Sequence, residues 1–317
     1  MHNARITVLM PCYNAANYIV DAIRSVLGQT FRDFELLIVN DGSTDNTTER
    51  VRSFNDDRII LIEQPQLGIA TALNNGLKHA RTNYIARFDA DDICFADRLE
   101  KQYLFMLKNP EYIVVGSGAD YMDDSGSFIF THFPKVVTNG EIQQLAWYRC
   151  PFIHASVMFR KDTVMSFGYD TNAHSFEDHL LWLQLKPRGK MYNMPEPLLS
   201  VRLNPRSFTM DERKRPRIFH EIKYKALQKK SISQHDGDRL LALINLQNKS
   251  KSKEGAYYSL LAKKFLWNNY DPSRARSNMK KAMMLNAFDI RDYLLYMVSY
   301  LPENVINSLY ANFVSAK

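Results

Sequence analysis

Cysteine is scarce in this chain of 317 residues. Cys12, Cys94 and Cys150 stand in unrelated contexts, and no two form a CxxC pair. A disulfide framework and a structural zinc site both need closely spaced thiols, so neither is expected, and the usage fits a reducing cytoplasm. Glycine and proline are sparse, at 12 each, which excludes collagen-like and linker-like chains. Long uncharged runs are missing too: no stretch approaches the roughly 18 apolar residues of a membrane span. The opening MHNARITVLMP has neither a basic region leading a full apolar segment nor a small-residue cleavage site, so no secretory signal is expected. Neither common phosphate loop occurs. There is no GxxxxGK followed by Ser or Thr, and no GxGxxG follows a strand pattern, which disfavours a P-loop NTPase and a dinucleotide-dependent dehydrogenase.

The rest of the composition is that of an ordinary globular protein, 45% apolar and 24% charged, and the length predicts one to two domains. Charge is unevenly placed. The whole chain has 41 Lys+Arg and 34 Asp+Glu, a net of +7; residues 1–205 hold 20 and 24 of these, net −4, which leaves 21 and 10, net +11, for residues 206–317. The reading is a catalytic domain over 1–205 and a basic helical region over 206–317. A basic surface suits nucleic acid, anionic lipid or a diphosphate, and charge alone does not choose among them.

The first hundred residues alternate between two periods. Short apolar runs at 5–11, 34–41, 58–64 and 84–91 read as buried strands. Helical spacing at 17–27, 44–54 and 68–81 separates them. This βαβαβαβ order predicts a mostly parallel sheet with helices on both faces, and ligands on such sheets bind beyond the carboxyl ends of the strands. Polar clusters fall there: Pro11-Cys12-Tyr13-Asn14, Asn40-Asp41-Gly42-Ser43 and Asp89-Ala90-Asp91-Asp92. A helix at 96–108, two strands at 111–122 and 126–133 joined by an Asp123–Gly126 turn, a helix near 140–148, a strand at 155–160, a helix from Ser175 and a strand at 197–203 follow. From about 212 the pattern is helical only. The periodicity at 255–267 and 274–285 resembles one tetratricopeptide-like helix pair, and residues 250–254 read as an exposed loop.

Three carboxylates within four residues, Asp89, Asp91 and Asp92, repel one another, so gathering them at a strand end is unfavourable unless a cation is shared. Oxygen ligands suit a hard divalent ion that also holds phosphate; the alternative is a solvated turn before a helix.

Six blocks carry a resemblance: PCYNAANYIVDAIRSVLGQTF, FELLIVNDGSTDNT, GIATALNNGLKHA, YIARFDADDICFADRLEKQ, HASVMFRK and FEDHLLWLQL. Together, over residues 5–205 and in this order, they resemble the family-2 glycosyltransferases with the GT-A fold, of the inverting type found in bacterial surface-polysaccharide assembly. The resemblance implies an α/β fold of that kind with a C-terminal helical extension. It implies that Pro11, Tyr13, Asn14 and Asp41 hold the nucleotide base, and that Asp89, Asp91 and Asp92 grip ribose and a diphosphate bridged by Mg²⁺ or Mn²⁺. Arg87, Gly68 and Asn74 line the donor pocket in the same reading, although Asn74 also suits capping or packing. Asp178 becomes the catalytic base with Glu177 as its neighbour, against the alternative that Ser175-x-x-Asp178 is a capping box. His154 and Trp182 are placed on the acceptor side, with backbone bonding and core packing as their alternatives. The cysteines beside these motifs have no assigned His partner, which argues against nucleophilic catalysis.

One departure from the family pattern stands in Val201-Arg202-Leu203-Asn204, where many relatives have Tyr-Arg-x-His. Arg202 is kept and, with Arg206, is expected to meet the leaving diphosphate; Asn204 replaces a His and leaves the metal preference open. The implied partners are a nucleotide-sugar donor, expected to be UDP-linked, and a glycan or lipid-linked acceptor, with no nucleic acid. A cytoplasmic protein at the inner face of the membrane is expected. Apolar residues at helical spacing over 289–313, interrupted at Pro302, suggest either peripheral contact with anionic lipid or a homodimer seam. The rival classes are a sugar nucleotidyltransferase and a non-catalytic nucleic-acid-binding protein.

Overall fold

The computed structural model describes residues 4–205, 215–247, 250–286 and 289–315. Its first hundred residues build β1 (Ile6–Cys12), α1 (Ile19–Leu27), β2 (Phe34–Asp41), α2 (Thr47–Arg52), β3 (Ile59–Gln64), α3 (Ile69–His79) and β4 (Tyr84–Arg87). Every residue of β1 and β2 is buried, as a strand covered on both faces requires. These strands pair in parallel, β1 with β2 and β4, and β2 with β3. Their carboxyl ends therefore share one edge, as the sequence pattern predicts. The polar side chains inside this layer are satisfied: Thr7 Oγ1 donates to Glu35 Oε1 at 2.6 Å, and the Arg81 amide donates to the same oxygen.

The next elements are β5 (Ile93–Cys94), α4 (Arg98–Lys108), β6 (Tyr112–Met122), β7 (Phe128–His132), α5 (Asn139–Leu145), a 3₁₀ turn at His154–Ser156, β8 (Met158–Arg160), α6 (Lys161–Met165), α7 (Glu177–Leu185) and β9 (Lys190–Arg202). The sheet order is β3-β2-β1-β4-β8-β6-β9-β5, with β7 paired to β6. Strand β8 runs antiparallel to both β4 and β6, and β5 is antiparallel to β9. The sheet is thus mixed: β8 is reversed between β4 and β6, and β9 runs alongside β6 in the same direction, with Glu111 beside Lys190 and Gly118 beside Glu196. Two short elements, β5 and α6, have no periodicity long enough to announce them. Strand β4 ends at Arg87, four residues before its apolar and acidic run does, because Asp89 to Asp92 turn away: the Asp92 amide donates to the Asp89 carbonyl.

Helix α3 lies close on the sheet, and Gly76 is what permits it. A Cβ there would collide with Leu9 Cδ1 and sit 3.1 Å from Val39 Cγ2. Leu73 and Leu77, on the same face, join Leu9, Leu37, Val39 and Ile85 in the core.

Helices α8 (Arg217–Lys229), α9 (Gln234–Gln247), α10 (Ser250–Trp267), α11 (Pro272–Leu285), α12 (Ile290–Val298) and α13 (Glu303–Ser315) follow. Residues 250–254, read from sequence as a loop, open α10 instead, and Lys253 is 6% exposed. The chain forms two compact units. The first comprises Met1–Asp120, Thr131–Val201 and Ile218–Leu240, and the second Tyr121–Phe130, Arg202–Arg217 and Leu241–Lys317. Tyr257, Leu261, Phe265, Ala275, Met279, Leu295 and Ile306 make the core of the second unit, together with Ile129 and Phe130. Among the described residues, no helix is long and apolar enough to cross a membrane.

Candidate active site

The loops after β1 and β2 are zipped together. Asn14 takes a positive φ of 49°, its amide donates to Ser43 Oγ at 2.9 Å, and its Oδ1 accepts from the Thr44 amide at 2.8 Å. Ala15 and Ala16 donate to Thr47 and Asp45 side chains across the same seam. Tyr13 is thereby left outside at 42% exposure, while Pro11 is buried at the end of β1. Asp41 is drawn inward. It accepts from Gln64 Nε2 and the Leu67 amide through Oδ1, and from the Gly68 amide through Oδ2, at 2.7–2.8 Å. Gly68 has a φ of 90°, which a residue without Cβ reaches at little cost. Asp41 thus shapes the turn that starts α3.

Asn74 has a different task from the donor contact expected of it. Its Nδ2 donates to the Tyr169 carbonyl and its Oδ1 accepts from the Tyr169 amide, both at 2.8 Å. Its amide group is spent on holding the 168–170 turn. The Tyr169 hydroxyl in turn lies 3.0 Å from His154 Nε2.

Beyond β4, the carboxylates of Asp89, Asp91 and Asp92 bring one oxygen each within 4.8 Å of one another. Asp92 is 1% exposed and the other two are half-buried. Arg87, itself 3% exposed, places Nη1 2.5 Å from Asp89 Oδ2. Its Nε has no hydrogen-bond partner among the described residues. Arg98, which the sequence reading did not single out, props this strand end from behind: its Nη2 donates to the Arg87 carbonyl at 2.8 Å, and its guanidinium lies over the Phe88 ring. Three acids beside two buried guanidiniums, with all their oxygens on one turn, form a donor set that fits a hard divalent cation.

The second acidic group opens α7. Ser175 has a φ of 71° and the N-cap is Phe176, with no side-chain cap. The capping-box alternative is therefore ruled out by geometry. Asp178 is half-buried. Its Oδ1 accepts from the His179 amide at 2.7 Å and its Oδ2 from the Cys150 thiol at 3.3 Å. Glu177 is 8% exposed. Burial first, and the charge of Asp178 second, push its carboxyl up to about 7. Glu177 thus keeps its proton toward neutrality.

Arg87 links the two acidic groups. Its charge acts on Asp89 and Asp92 on one side and on Tyr169, His154 and Glu177 on the other. His154 is held well below the ordinary imidazole range by burial and by that same charge, so it is neutral and serves as a hydrogen-bond partner. Trp182 corrects its acceptor-side assignment. It is fully buried, edge-on to Phe152 and near His154, and its ring offers no free face to a sugar. Lys223 on α8 also reaches this corner, 5.6 Å from the Phe176 ring, and its charge bears on Glu177 and Cys150. Only the spatial fold could reveal it, since it lies 45 residues beyond Asp178 in a stretch that reads as a basic appendage. Burial pushes the Cys12 thiol up to about 12 and raises those of Cys94 and Cys150, so none is a ready nucleophile.

Arg202 belongs to the second unit, where its Nη1 donates to the carbonyls of Asp123 and Asp124 in the β6–β7 hairpin. Asn204 is half-buried there, and Arg206 lies outside the described residues. A surface hollow of about 370 Å³, lined by Phe167, Gln184, Pro187, Arg188 and Lys230, contains none of these acids.

The family model described as glycosyl transferase family 2 matches residues 7–173, just over half the chain. EpsE of Bacillus subtilis is 34% identical over 206 residues, covering 62% of this chain and 73% of EpsE. The amylovoran biosynthesis glycosyltransferase AmsE of Erwinia amylovora is 33% identical over 202 residues, covering 62% and 75%. The O-antigen biosynthesis glycosyltransferase WbnJ of Escherichia coli is 30% identical over 208 residues, covering 64% and 81%. Among solved structures, S. aureus TarS 1–349 in complex with UDP superposes with a TM-score of 0.56 at 15% identity, over 97% of this chain and 91% of that one. The mannosyltransferase PcManGT from Pyrobaculum calidifontis, in complex with GDP-Man and Mn²⁺, gives 0.56 at 17% identity, over 98% and 85%. At these identities the structures speak for the fold alone: a mixed α/β architecture of the GT-A kind with C-terminal helices.

Proposed function

The chain belongs to glycosyltransferase family 2, and from that premise we propose that it is an inverting transferase, acting from a nucleoside-diphosphate sugar onto a hydroxyl of a glycan or lipid-linked glycan. One observation carries the reading: two acidic groups, Asp89–Asp91–Asp92 and Glu177–Asp178, lie in one compact unit around the buried Arg87, which pairs with Asp89 and whose charge also acts on Glu177. The division of labour follows from their surroundings. Tyr13 and Asn14, exposed at the β1 edge, receive the base, and Asp41 fixes the turn beside it. Asp91, with Asp89 and Asp92, would hold Mg²⁺ or Mn²⁺. When bound, the cation supplies charge to offset the negative charge that develops on the departing diphosphate. Arg87 adds a buried positive group beside the acidic turn, paired with Asp89.

Asp178 is the base. It is half-buried, oriented by the His179 amide and the Cys150 thiol, and partnered by a carboxyl that retains its proton. It takes the acceptor hydroxyl proton while the oxygen attacks the anomeric carbon and the bond to the diphosphate breaks. Residues 1–205 carry this chemistry. UDP is the expected nucleotide, and the setting is assembly of a surface polysaccharide at the cytoplasmic face of the membrane. A screen of nucleotide sugars with Mn²⁺ tests the reading. Release of a nucleoside diphosphate, by transfer or slow hydrolysis, is the expected outcome; no release from any of these donors, with pyrophosphate formed instead from a nucleoside triphosphate and a sugar 1-phosphate, would make the chain a nucleotidyltransferase.

A further inference from the structure

Helices α11 and α12 of the second unit present an apolar row and neighbouring cations to solvent. Ile290, Leu294 and Met297 on α12 are 71, 57 and 68% exposed, and Met284 near the end of α11 is 87% exposed. Positions 290, 294, 297 and 301 follow one another by three or four residues, so the first three form one stripe on α12 and Leu301 follows it at the helix end. The opposite face of α12 already gives Leu295 to the core, as α13 gives Ile306. Among the described residues, the stripe is therefore apolar surface left exposed.

Cations flank the exposed face of α11 on both sides, Arg276 and Lys280 toward α12 and Arg274 and Lys281 toward α10. Helix α11 carries Arg274, Arg276, Lys280 and Lys281 and no acid. Arg276 Nη1 donates to the Ser299 carbonyl at 2.8 Å and its guanidinium lies 4.7 Å from the Tyr300 ring. Lys281 places its ammonium 5.0 Å from the Tyr258 ring. These partners are neutral, so the charges of Arg276 and Lys281 persist, whereas Arg274 pairs with Asp271 at the helix cap. The acids of α12 and its cap are committed elsewhere: Asp292 is 1% exposed and accepts from Ser259, and Asp289 pairs with Arg291. Tyr293 and Tyr300, 43 and 64% exposed, border the stripe with side chains that suit a boundary between apolar and wet surroundings.

We propose that this face of α11 and α12 is a peripheral binding surface for an anionic phospholipid bilayer, with Ile290, Leu294 and Met297 in the interface and the α11 cations over the headgroups. Charge complementarity selects the occupant. A second copy of the chain seated on this face would bring two sets of cations together, whereas an anionic leaflet neutralises them. With the stripe confined to a helix of only nine residues, binding is reversible and salt-sensitive rather than insertional. The surface lies wholly in the second unit, so it stands or falls independently of the chemistry proposed for the first.

Flotation of the full chain with vesicles of phosphatidylcholine, with and without phosphatidylglycerol, tests it. Leu294→Glu/Met297→Glu and Lys280→Glu/Lys281→Glu are the variants, with thermal melts as the control for folding. The expected result is flotation on the anionic vesicles at low salt, little on the neutral ones, and at least a tenfold loss of the bound fraction in each variant with an unchanged melt. The proposal is overturned by no flotation on anionic vesicles at low salt, or by equal flotation on neutral ones. A dimer in light scattering that Leu294→Glu/Met297→Glu dissociates, without vesicle binding, would make the stripe a contact between copies. Should that variant melt early, Lys280→Glu/Lys281→Glu decides alone.

Discussion

Glu177 is a carboxyl held where charge is costly, and its protonation couples to folding. Its folded value of about 7 stands above the ordinary carboxyl range near 4.3 that it regains on unfolding. The folded chain therefore binds the extra proton between those values. That contribution to stability is complete below about pH 4.3 and is lost as pH rises through 7. Glu177→Gln, which needs no proton to be neutral, should match the native chain near pH 4–5 and exceed it by roughly 1–3 kcal/mol at pH 8.5. Thermal melts of both proteins across that range measure the difference; parallel curves would show that the carboxyl is not buried in charge-averse surroundings. The acids themselves were legible in the sequence because spaced carboxylates at strand and helix starts are conspicuous. Their surroundings were not. The Cys150 thiol on Asp178 and the Tyr169 hydroxyl near His154 come from distant segments with no local pattern. The burial of Trp182 depends on which face of α7 meets the sheet, and that helix is apolar nearly all round, from Leu180 to Leu185.

At the scale of elements, the long buried strands and the amphipathic helices were readable within a few residues. Strand β2 and the break between α12 and α13 at Pro302 are the clearest cases. What failed was short or context-dependent. The two residues of β5 exist as a strand only because β9 passes beside them, and the polar start of α10 is helical despite its loop-like composition. The glycine at 76 in α3 has a definite task, and its replacement measures it. Gly76→Ala gains about 1 kcal/mol in helix propensity, but its methyl must displace Leu9 and press on Val39. Overpacking of this sort costs about 1–3 kcal/mol. A net loss is expected, read as a lower urea midpoint with an unchanged slope. A higher midpoint would mean that α3 sits further from the sheet.

At the scale of the whole molecule, the two compact units divide the work differently from the linear charge profile. Residues 218–240, including Lys223, fold with the sheet-bearing unit, and the hairpin segment 121–130 folds with the later helices. A reading along the chain has no means of finding such exchanges, because they depend on contacts between segments far apart in sequence. Within the first unit, donor binding should require the acidic turn. Calorimetry with UDP should give Mn²⁺-dependent affinity for the native chain and none for Asp91→Ala; equal affinity in all four combinations of protein and metal would remove Asp91 from the ligand set. The separation of binding from chemistry rests on Asp178, and one comparison addresses it directly. Asp178→Asn preserves shape while removing the base. Turnover measured alongside donor affinity in this variant should fall by roughly 10²–10⁴ with the affinity unchanged. Near-normal turnover, or a loss confined to donor binding, would contradict the assignment of Asp178 as the group that takes the acceptor proton.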